Sequence, residues 1–230
     1  MSPLTEVSRG GHIRDKISAF SFHHKWVVAV ELLTVALLFA WPVFTFSSGI
    51  LGLPFVLLAV WLRKSDLAAL GLRRPASWPV AIMWGLAAVT VILTVQAVAV
   101  QPLLQRLFDR APDYSRFHQM TASQLLGWIA AGWAMGAFAE EIIRAYLIYR
   151  IVDLVGATRA GWMAAVFGSS LVYALNHLYL GVAGAVGVVV SCIGLGLLYI
   201  VRKRNLWSNI VCHGMNDTLA FTAVFVGKLS

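Results

Sequence analysis

The sequence predicts an all-α fold, a polytopic transmembrane helical bundle of seven to eight spans that forms a single integral membrane domain over residues 1–230. Composition is the first reason, because 60% of the residues are hydrophobic and 12% are charged, with a mean hydropathy of +0.79. The second reason is that the apolar runs reach the roughly 20 residues needed to cross a bilayer. The third is that these runs mostly lack the polar stripe of a helix in a soluble protein.

The predicted spans follow the apolar runs in chain order. We expect helices near residues 26–46, 48–62, 80–100, 123–153, 160–178, 182–201 and 206–227. No repeat, low-complexity tract or long linker separates them, so one bundle accounts for the whole chain. The first apolar run begins only near Trp26 and lacks a small-residue cleavage pattern, and we therefore expect no cleaved signal peptide.

The basic residues are distributed unevenly between the predicted loops. Thirteen of the eighteen Lys and Arg residues fall on the side that carries the N-terminus. Since basic loops stay in the cytoplasm, we expect residues 1–25 to be a cytoplasmic segment of a multi-pass protein of the cell inner or plasma membrane. The cations lie in short clusters between apolar spans, so the net charge of +8 indicates a lipid bilayer as partner and not nucleic acid.

Two adjacent carboxylates, Glu140 and Glu141, follow the apolar run Leu125–Ala139 and precede Arg144 by one helical turn. Ionisable groups at membrane depth are costly and occur mainly where they react or move ions. On a helix Arg144 can reach either carboxylate, while the two Glu side chains diverge by about 100°. We expect one Glu to face a cavity as the base and the other to anchor the helix with Arg144. A purely structural buried ion network is the alternative.

Two further polar motifs lie in later spans. Tyr173 and His177 are one turn apart near the end of one span, and His213 and Asp217 share a face of the last span. A lone His near a helix end is often a packing residue, but an imidazole beside a carboxylate can hold a tautomer, bind a metal or share a proton. Random placement would scatter these groups. We therefore expect the motifs to converge on one pocket suited to activating water against a carbonyl.

The three motifs lie at different predicted depths in the membrane, which argues against their meeting in one pocket. At 1.5 Å per residue, Glu140, His177 and His213 lie about 20, 25 and 10 Å from the cytoplasmic ends of their predicted helices. Straight helices would not align them, so we expect kinks, tilt or uneven helix ends.

Neither the two cysteines nor the other possible ligands match a recognised disulfide or zinc-binding motif. Cys192 and Cys212 both lie in predicted spans, which argues against a disulfide framework and a Cys-type zinc site and favours packing roles. We expect no cofactor. A divalent metal such as zinc, held by His177, His213 and a carboxylate, matches common ligand chemistry and is the second alternative, although no HExxH pairing is present.

The order Glu-Glu…Arg, aromatic-x-x-x-His and His-x-x-x-Asn/Asp resembles the CAAX-protease and bacteriocin-processing (CPBP or Abi) family of intramembrane endopeptidases, whose motifs read EExxxR, FxxxH and HxxxN/D. The resemblance covers roughly residues 120–220, which would then be the catalytic helices. Each motif is short, but their order and their placement in apolar spans make the combination more specific. This chain departs in three places, because Arg144 comes one residue early, Tyr173 replaces Phe, and Asp217 stands where Asn is common.

The resemblance implies a glutamic-type endopeptidase that acts on peptide or protein substrates, including lipidated and membrane-anchored ones. Glu140, or alternatively Glu141, would act with His177 to polarise a water that attacks the scissile carbonyl. His213 would stabilise the oxyanion, and Asp217 would orient His213 or donate a proton. Arg144 and the second Glu would hold these groups in place, and a metallo-type protease is the second choice.

A transporter or proton and ion relay that uses the same buried charges is the competing function. It predicts ion flux or substrate uptake without peptide cleavage. The absence of an inverted internal repeat and of paired broken helices in the sequence argues against it. A membrane scaffold or immunity protein without chemistry would tolerate loss of all three motifs.

Overall fold

The computed structural model describes residues 24–40, 48–108, 112–117 and 119–228, so the predicted cytoplasmic segment lies almost wholly outside the described residues. Every regular element within these ranges is helical, which confirms the all-α prediction. The α-helices are α1 (Lys25–Ala40), α2 (Leu53–Leu62), α3 (Trp78–Val95), α4 (Gln101–Phe108), α5 (Ala122–Ala131), α6 (Glu141–Val155), α7 (Arg159–Asn176), α8 (Gly181–Val201) and α9 (Trp207–Phe225).

Three π-helical segments join or extend these helices. Ser48–Gly52 leads into α2, Gln96–Val100 connects α3 to α4, and Gly132–Glu140 connects α5 to α6. Within the described residues each predicted span contains one continuous helical stretch, and residues 41–46 of the first span lie outside the described residues. The main difference is at residues 101–108, because the predicted span ends at residue 100 and the structure continues the helix.

The helix continues there because its polar side chains find partners inside the bundle. Gln96 Nε2 donates to the Gly187 carbonyl oxygen at 2.7 Å and to Ser191 Oγ at 2.8 Å. Gln101 Nε2 donates in turn to Gln96 Oε1 at 3.3 Å. Leu104 is buried on the same segment. Hydrogen-bonded amides can be placed against a neighbouring helix without the cost of an unsatisfied polar group.

Two helical stretches of the described residues are long and apolar enough to cross a membrane, Trp78–Phe108 and Leu178–Val201. Gly49–Leu62 is apolar but shorter. Other helices contain the charged and polar groups of the motifs, which lowers their hydropathy. The count of seven to eight spans stays a prediction. Only 17% of the most apolar window of Trp78–Phe108 is buried within the protein, as expected of a helix whose surface faces lipid.

Helix α6 lies at the centre of the bundle, and residues 141–150 are buried without interruption. It packs against α1, α2 and α7, while the π-helical segment before it packs against α9. Since a helix that is buried all round needs partners for every polar side chain, the charges on α6 must be paired within the protein.

One set of these charges lies toward the C-terminal end of α6. Arg150 Nε donates to Glu31 Oε2 at 2.9 Å, and the Tyr146 hydroxyl donates to the same oxygen at 3.0 Å. Arg63 pairs with the other oxygen of Glu31, and Arg150 also pairs with Asp153. Arg63 and Arg150 are only 3% and 1% exposed. We call these five residues the α6 ion network; it ties α1 and α2 to α6.

Candidate active site

The π-helical segment Gly132–Glu140 positions the two adjacent carboxylates. Short π-helical stretches widen a helix and are frequent at functional sites. Gly136 lies where a Cβ would be 2.6 Å from Asp217 Oδ2, and a Cβ at Gly132 would be 3.1 Å from the Asp217 Cβ. The small residues therefore let α9 approach the segment closely enough to place Asp217 beside the first turn of α6.

Glu141 is the buried anchor of the site, with no exposed surface. Arg144 Nε donates to its two carboxylate oxygens at 3.1 and 3.2 Å. Asn209 Nδ2 donates to Glu141 Oε2 at 3.1 Å and to the Leu195 carbonyl oxygen at 2.8 Å. His213 Nδ1 lies 2.8 Å from Glu141 Oε1. One carboxylate thus links α6 to α9 through two side chains of α9, Asn209 and His213.

Glu140 points in a different direction from Glu141, as their separation of about 100° on a helix requires. Its side chain lines a cavity and is 7% exposed. Asn176 Nδ2 lies 3.5 Å from Glu140 Oε1, and the Tyr173 hydroxyl donates to the Glu140 backbone carbonyl. The end of α7 therefore contacts both the backbone and the carboxylate of Glu140.

The hydrogen bond of His177 determines its neutral tautomer. His177 Nδ1 lies 3.0 Å from the Tyr173 carbonyl oxygen. Because a carbonyl only accepts, Nδ1 must carry the proton in this bond. In the neutral ring Nε2 is then an acceptor. The imidazole also stacks on Tyr179 with a centroid distance of 5.8 Å, which limits rotation of the ring.

His213 lies between two carboxylates. Its Nδ1 is held by Glu141, while its Nε2 is 3.8 Å from Asp217 Oδ1. The second distance is too long for a hydrogen bond. Glu141 is therefore the residue that hydrogen-bonds the ring of His213 directly, and orienting that ring is one of the two roles that the resemblance implies for Asp217.

Arg144 has donors beyond those that Glu141 uses. Its guanidinium lies 3.9 Å from the centroid of the Tyr173 ring, and a cation over an aromatic face is attracted to the ring quadrupole. Nη1 and Nη2 have no hydrogen-bond partner among the described residues. The side chain is 1% exposed, and the cavity-lining Cys192 is among the groups that interact with its guanidinium.

The cavity has a volume of about 90 Å³, enough for a few water molecules. It is lined by Ile92, Glu140, Arg144, Tyr173, His177, Val188, Ser191, Cys192, Leu195, Cys212, His213, Asn216 and Asp217. Five of the six predicted site residues line it, and the sixth, Glu141, hydrogen-bonds two of those five. The structure therefore brings all six together, despite the unequal depths that straight helices would give.

Sequence reasoning missed several polar residues of the site. Asn209 precedes His213 by four residues on α9, so helical periodicity could have placed it on the same face. Asn176 is adjacent to His177 but has no motif of its own. Cys192 and Cys212, predicted to be packing residues, are buried and also line the cavity.

The possible metal ligands are the imidazoles and carboxylates of the cavity. No group of three or more His, Cys, Asp or Glu side chains in the described parts of the chain is arranged to hold a metal ion. His213 Nδ1 and His177 Nδ1 are held by Glu141 and by the Tyr173 carbonyl, which leaves Nε2 as the remaining ring nitrogen of each. The zinc alternative stays a prediction.

Comparison with known proteins identifies the same part of the chain. Residues 122–219 match the family model described as type II CAAX prenyl endopeptidase Rce1-like. The match confirms the family resemblance and contains each of the six predicted site residues. It does not extend to α1–α4. No curated protein and no solved structure matches the chain.

Proposed function

We propose that this protein, which is similar over residues 122–219 to the Rce1-like type II CAAX prenyl endopeptidases, is an intramembrane endopeptidase that hydrolyses peptide bonds with water activated by Glu140 and His177. The similarity supports a CAAX-type membrane protease at the level of the family. The observation that carries the mechanism is the single cavity where Glu140, His177, His213 and Asp217 meet.

Glu140 is the proposed general base. Its carboxylate lines the cavity, where Asn176 Nδ2 lies 3.5 Å from Oε1. Glu141 is not among the residues that line the cavity, and its carboxylate contacts Arg144, Asn209 and His213. His177 Nε2, an acceptor in the neutral ring, gives the water a second acceptor. Two acceptors hold a water so that a lone pair on its oxygen points toward the substrate carbonyl.

In the attack, the water oxygen bonds to the scissile carbonyl carbon and its proton passes to Glu140. The carbonyl oxygen becomes an oxyanion. When the C–N bond breaks, the proton on Glu140 is delivered to the leaving nitrogen, which leaves a carboxylic acid and an amine as products. Glu140 is thus regenerated, and neither a Ser nor a Cys nucleophile takes part.

His213 is the proposed oxyanion donor. Its Nδ1–H is directed at Glu141 Oε1, so Nε2 donates to the oxyanion when the ring is an imidazolium. The carboxylates of Glu141 and Asp217 lie on either side of the ring. Asp217 contributes charge at 3.8 Å without occupying Nε2 by a hydrogen bond. Glu141 and Arg144 act as positioning residues.

The apolar wall of the cavity favours substrates that approach through lipid. Ile92 belongs to one membrane-length helix, and Val188 and Leu195 belong to the other. A peptide with an attached lipid or a membrane anchor could place its chain beside these helices and its scissile bond at the carboxylates. We therefore propose lipidated or membrane-anchored peptides as the substrate class.

The test is cleavage of labelled peptides, prenylated and plain, by the purified full-length protein in detergent. Wild type should cleave, and Glu140→Gln should not. Ser191→Ala and Cys212→Ala serve as controls, since both alter the cavity wall but not the proposed chemistry, and they should retain cleavage. Full activity of Glu140→Gln would refute the role of Glu140. Ion flux in liposomes without cleavage of any peptide would favour the transporter alternative.

A further inference from the structure

A second cleft, which shares no lining residue with the candidate active site, is lined by four cations. Arg73 and Arg74 contribute from the segment before α3, and Arg202 and Lys203 contribute from the turn after α8. The cleft has a volume of about 470 Å³, and no carboxylate is among its lining residues, all of which are described. Four like charges around one concavity repel each other, so the site is suited to an anion.

The level of this cleft in the membrane follows from the two membrane-length helices. One wall consists of residues 73–76, which immediately precede the helical stretch Trp78–Phe108. The other wall consists of residues at the end of the stretch Leu178–Val201 and in the turn that follows it. Adjacent ends of two membrane-length helices lie at one boundary between hydrocarbon and water. The cleft therefore lies at the height of lipid head groups.

Aromatic residues beside the cleft are consistent with that level. Trp78 and Trp207 contact each other edge to face with a centroid distance of 4.8 Å. The guanidinium of Arg202 lies 5.3 Å from the ring of Trp84, and its buried Nε has no hydrogen-bond partner among the described residues. Trp is enriched where a membrane meets water.

The two walls are fastened to each other, so the cleft is a built feature of the fold. Arg73 Nη2 donates to the Lys203 carbonyl oxygen and Asn205 Nδ2 donates to the Arg73 carbonyl oxygen, each at 3.0 Å. Gly71 has a φ of +100°, and a Cβ there would lie 2.1 Å from the Arg204 carbonyl oxygen. Only glycine allows this approach of the two turns.

We propose that this cleft binds the phosphate of an anionic phospholipid. Its cations supply charge-assisted donors to the phosphate, and the exposed apolar surfaces of α3 and α8 lie below it for the acyl chains. The excess of basic residues on this side of the membrane predicts that the cleft faces the cytoplasmic leaflet, which carries the anionic lipids. The proposal does not depend on the protease activity.

The experiment is native mass spectrometry of the full-length protein in detergent with an equimolar mixture of phosphatidylglycerol and phosphatidylcholine that have identical acyl chains. Wild type should retain phosphatidylglycerol in preference. The double variant Arg74→Gln/Lys203→Gln changes two exposed side chains of the cleft. It should reduce this preference by about fivefold for each cation removed, the factor expected for one basic group near an anionic surface.

The matched control is Arg106→Gln/Arg159→Gln, which removes the same charge from exposed positions outside the cleft and should keep the wild-type preference. Thermal unfolding followed by tryptophan fluorescence verifies that both variants are folded. Equal retention of the two lipids by wild type, or an equal loss in both double variants, would overturn the proposal. Displacement of the lipid by millimolar inorganic phosphate would also overturn it, because that result identifies a site for a soluble anion.

Discussion

Two clusters of buried charge lie at opposite ends of α6, and they differ in what surrounds them. In the α6 ion network, Glu31, Arg63, Tyr146, Arg150 and Asp153 bond mainly to each other. In the candidate active site, Glu141 is similarly saturated, but Glu140, His177 and His213 border a cavity. Buried charge alone is therefore not enough to indicate a reactive site. The candidate active site differs from the ion network because its carboxylate and imidazoles also border a cavity that can hold water.

The largest expected effect is the loss of cleavage activity when the candidate active site, and not the α6 ion network, is changed. Glu140→Gln removes the proposed base while keeping the size of the side chain, and should lower the cleavage rate by about 10²–10⁴-fold. Its thermal unfolding temperature should stay close to that of wild type, because the amide has the same shape and keeps the packing of this side chain beside the cavity. The measurement is the initial rate on a labelled peptide. An unchanged rate would place the reaction elsewhere.

Glu141→Gln should affect both stability and activity. The substitution leaves Arg144 buried without its counter-charge and weakens the orientation of His213, and breaking a buried pair costs about 3–5 kcal/mol. We expect a lower unfolding temperature in detergent and a lower rate in the fraction that remains folded. If instead only the rate fell, with no loss of stability, Glu141 would be the base and Glu140 would not.

Glu31→Gln should affect stability alone. It removes the negative charge that Arg63 and Arg150 share and replaces one accepting oxygen by an NH2 donor. Since Glu31 is partly exposed, the loss is expected near the lower end of the range for a buried pair, about 3 kcal/mol. The rate per folded molecule should be retained, because no residue of this network borders the cavity. Fluorescence of the nine Trp residues reports unfolding, and the peptide assay reports the rate. A rate that fell as far as for Glu140→Gln would show that the two clusters act together.

The smallest effect is expected for Tyr173→Phe. The change removes one hydrogen bond to the Glu140 carbonyl, worth about 1 kcal/mol, and keeps the ring beneath Arg144. It also restores the aromatic residue that the resembled family usually carries. Cleavage should persist at a rate within a few fold of wild type. Loss of activity comparable to that of Glu140→Gln would indicate that the hydroxyl takes part in the reaction.

Residue types along the chain predicted the helical bundle and the meeting of three polar motifs, because apolar length and the cost of buried charge are local properties. Which Glu faces the cavity was not predictable. That choice depends on the rotation of α6, which packing against α1 and α7 determines. Asn209 and Asn176 were not predicted as site residues. Their amide side chains carry no charge, and an Asn is equally compatible with a helix interior or with a turn.

The π-helical segment was also beyond prediction, since its composition of Gly, Ala and aromatic residues is compatible with an ordinary helix. Its hydrogen bonds run from residue i to i+5, and so it holds more residues per turn than an α-helix. Deleting one residue between Gly132 and Glu140 would let this stretch relax to regular geometry. The wide turns would close, and the positions of Gly132 and Gly136 beneath Asp217 would be lost. The number of residues in this stretch is therefore expected to matter to the candidate active site as much as the carboxylate of Glu140 at its end.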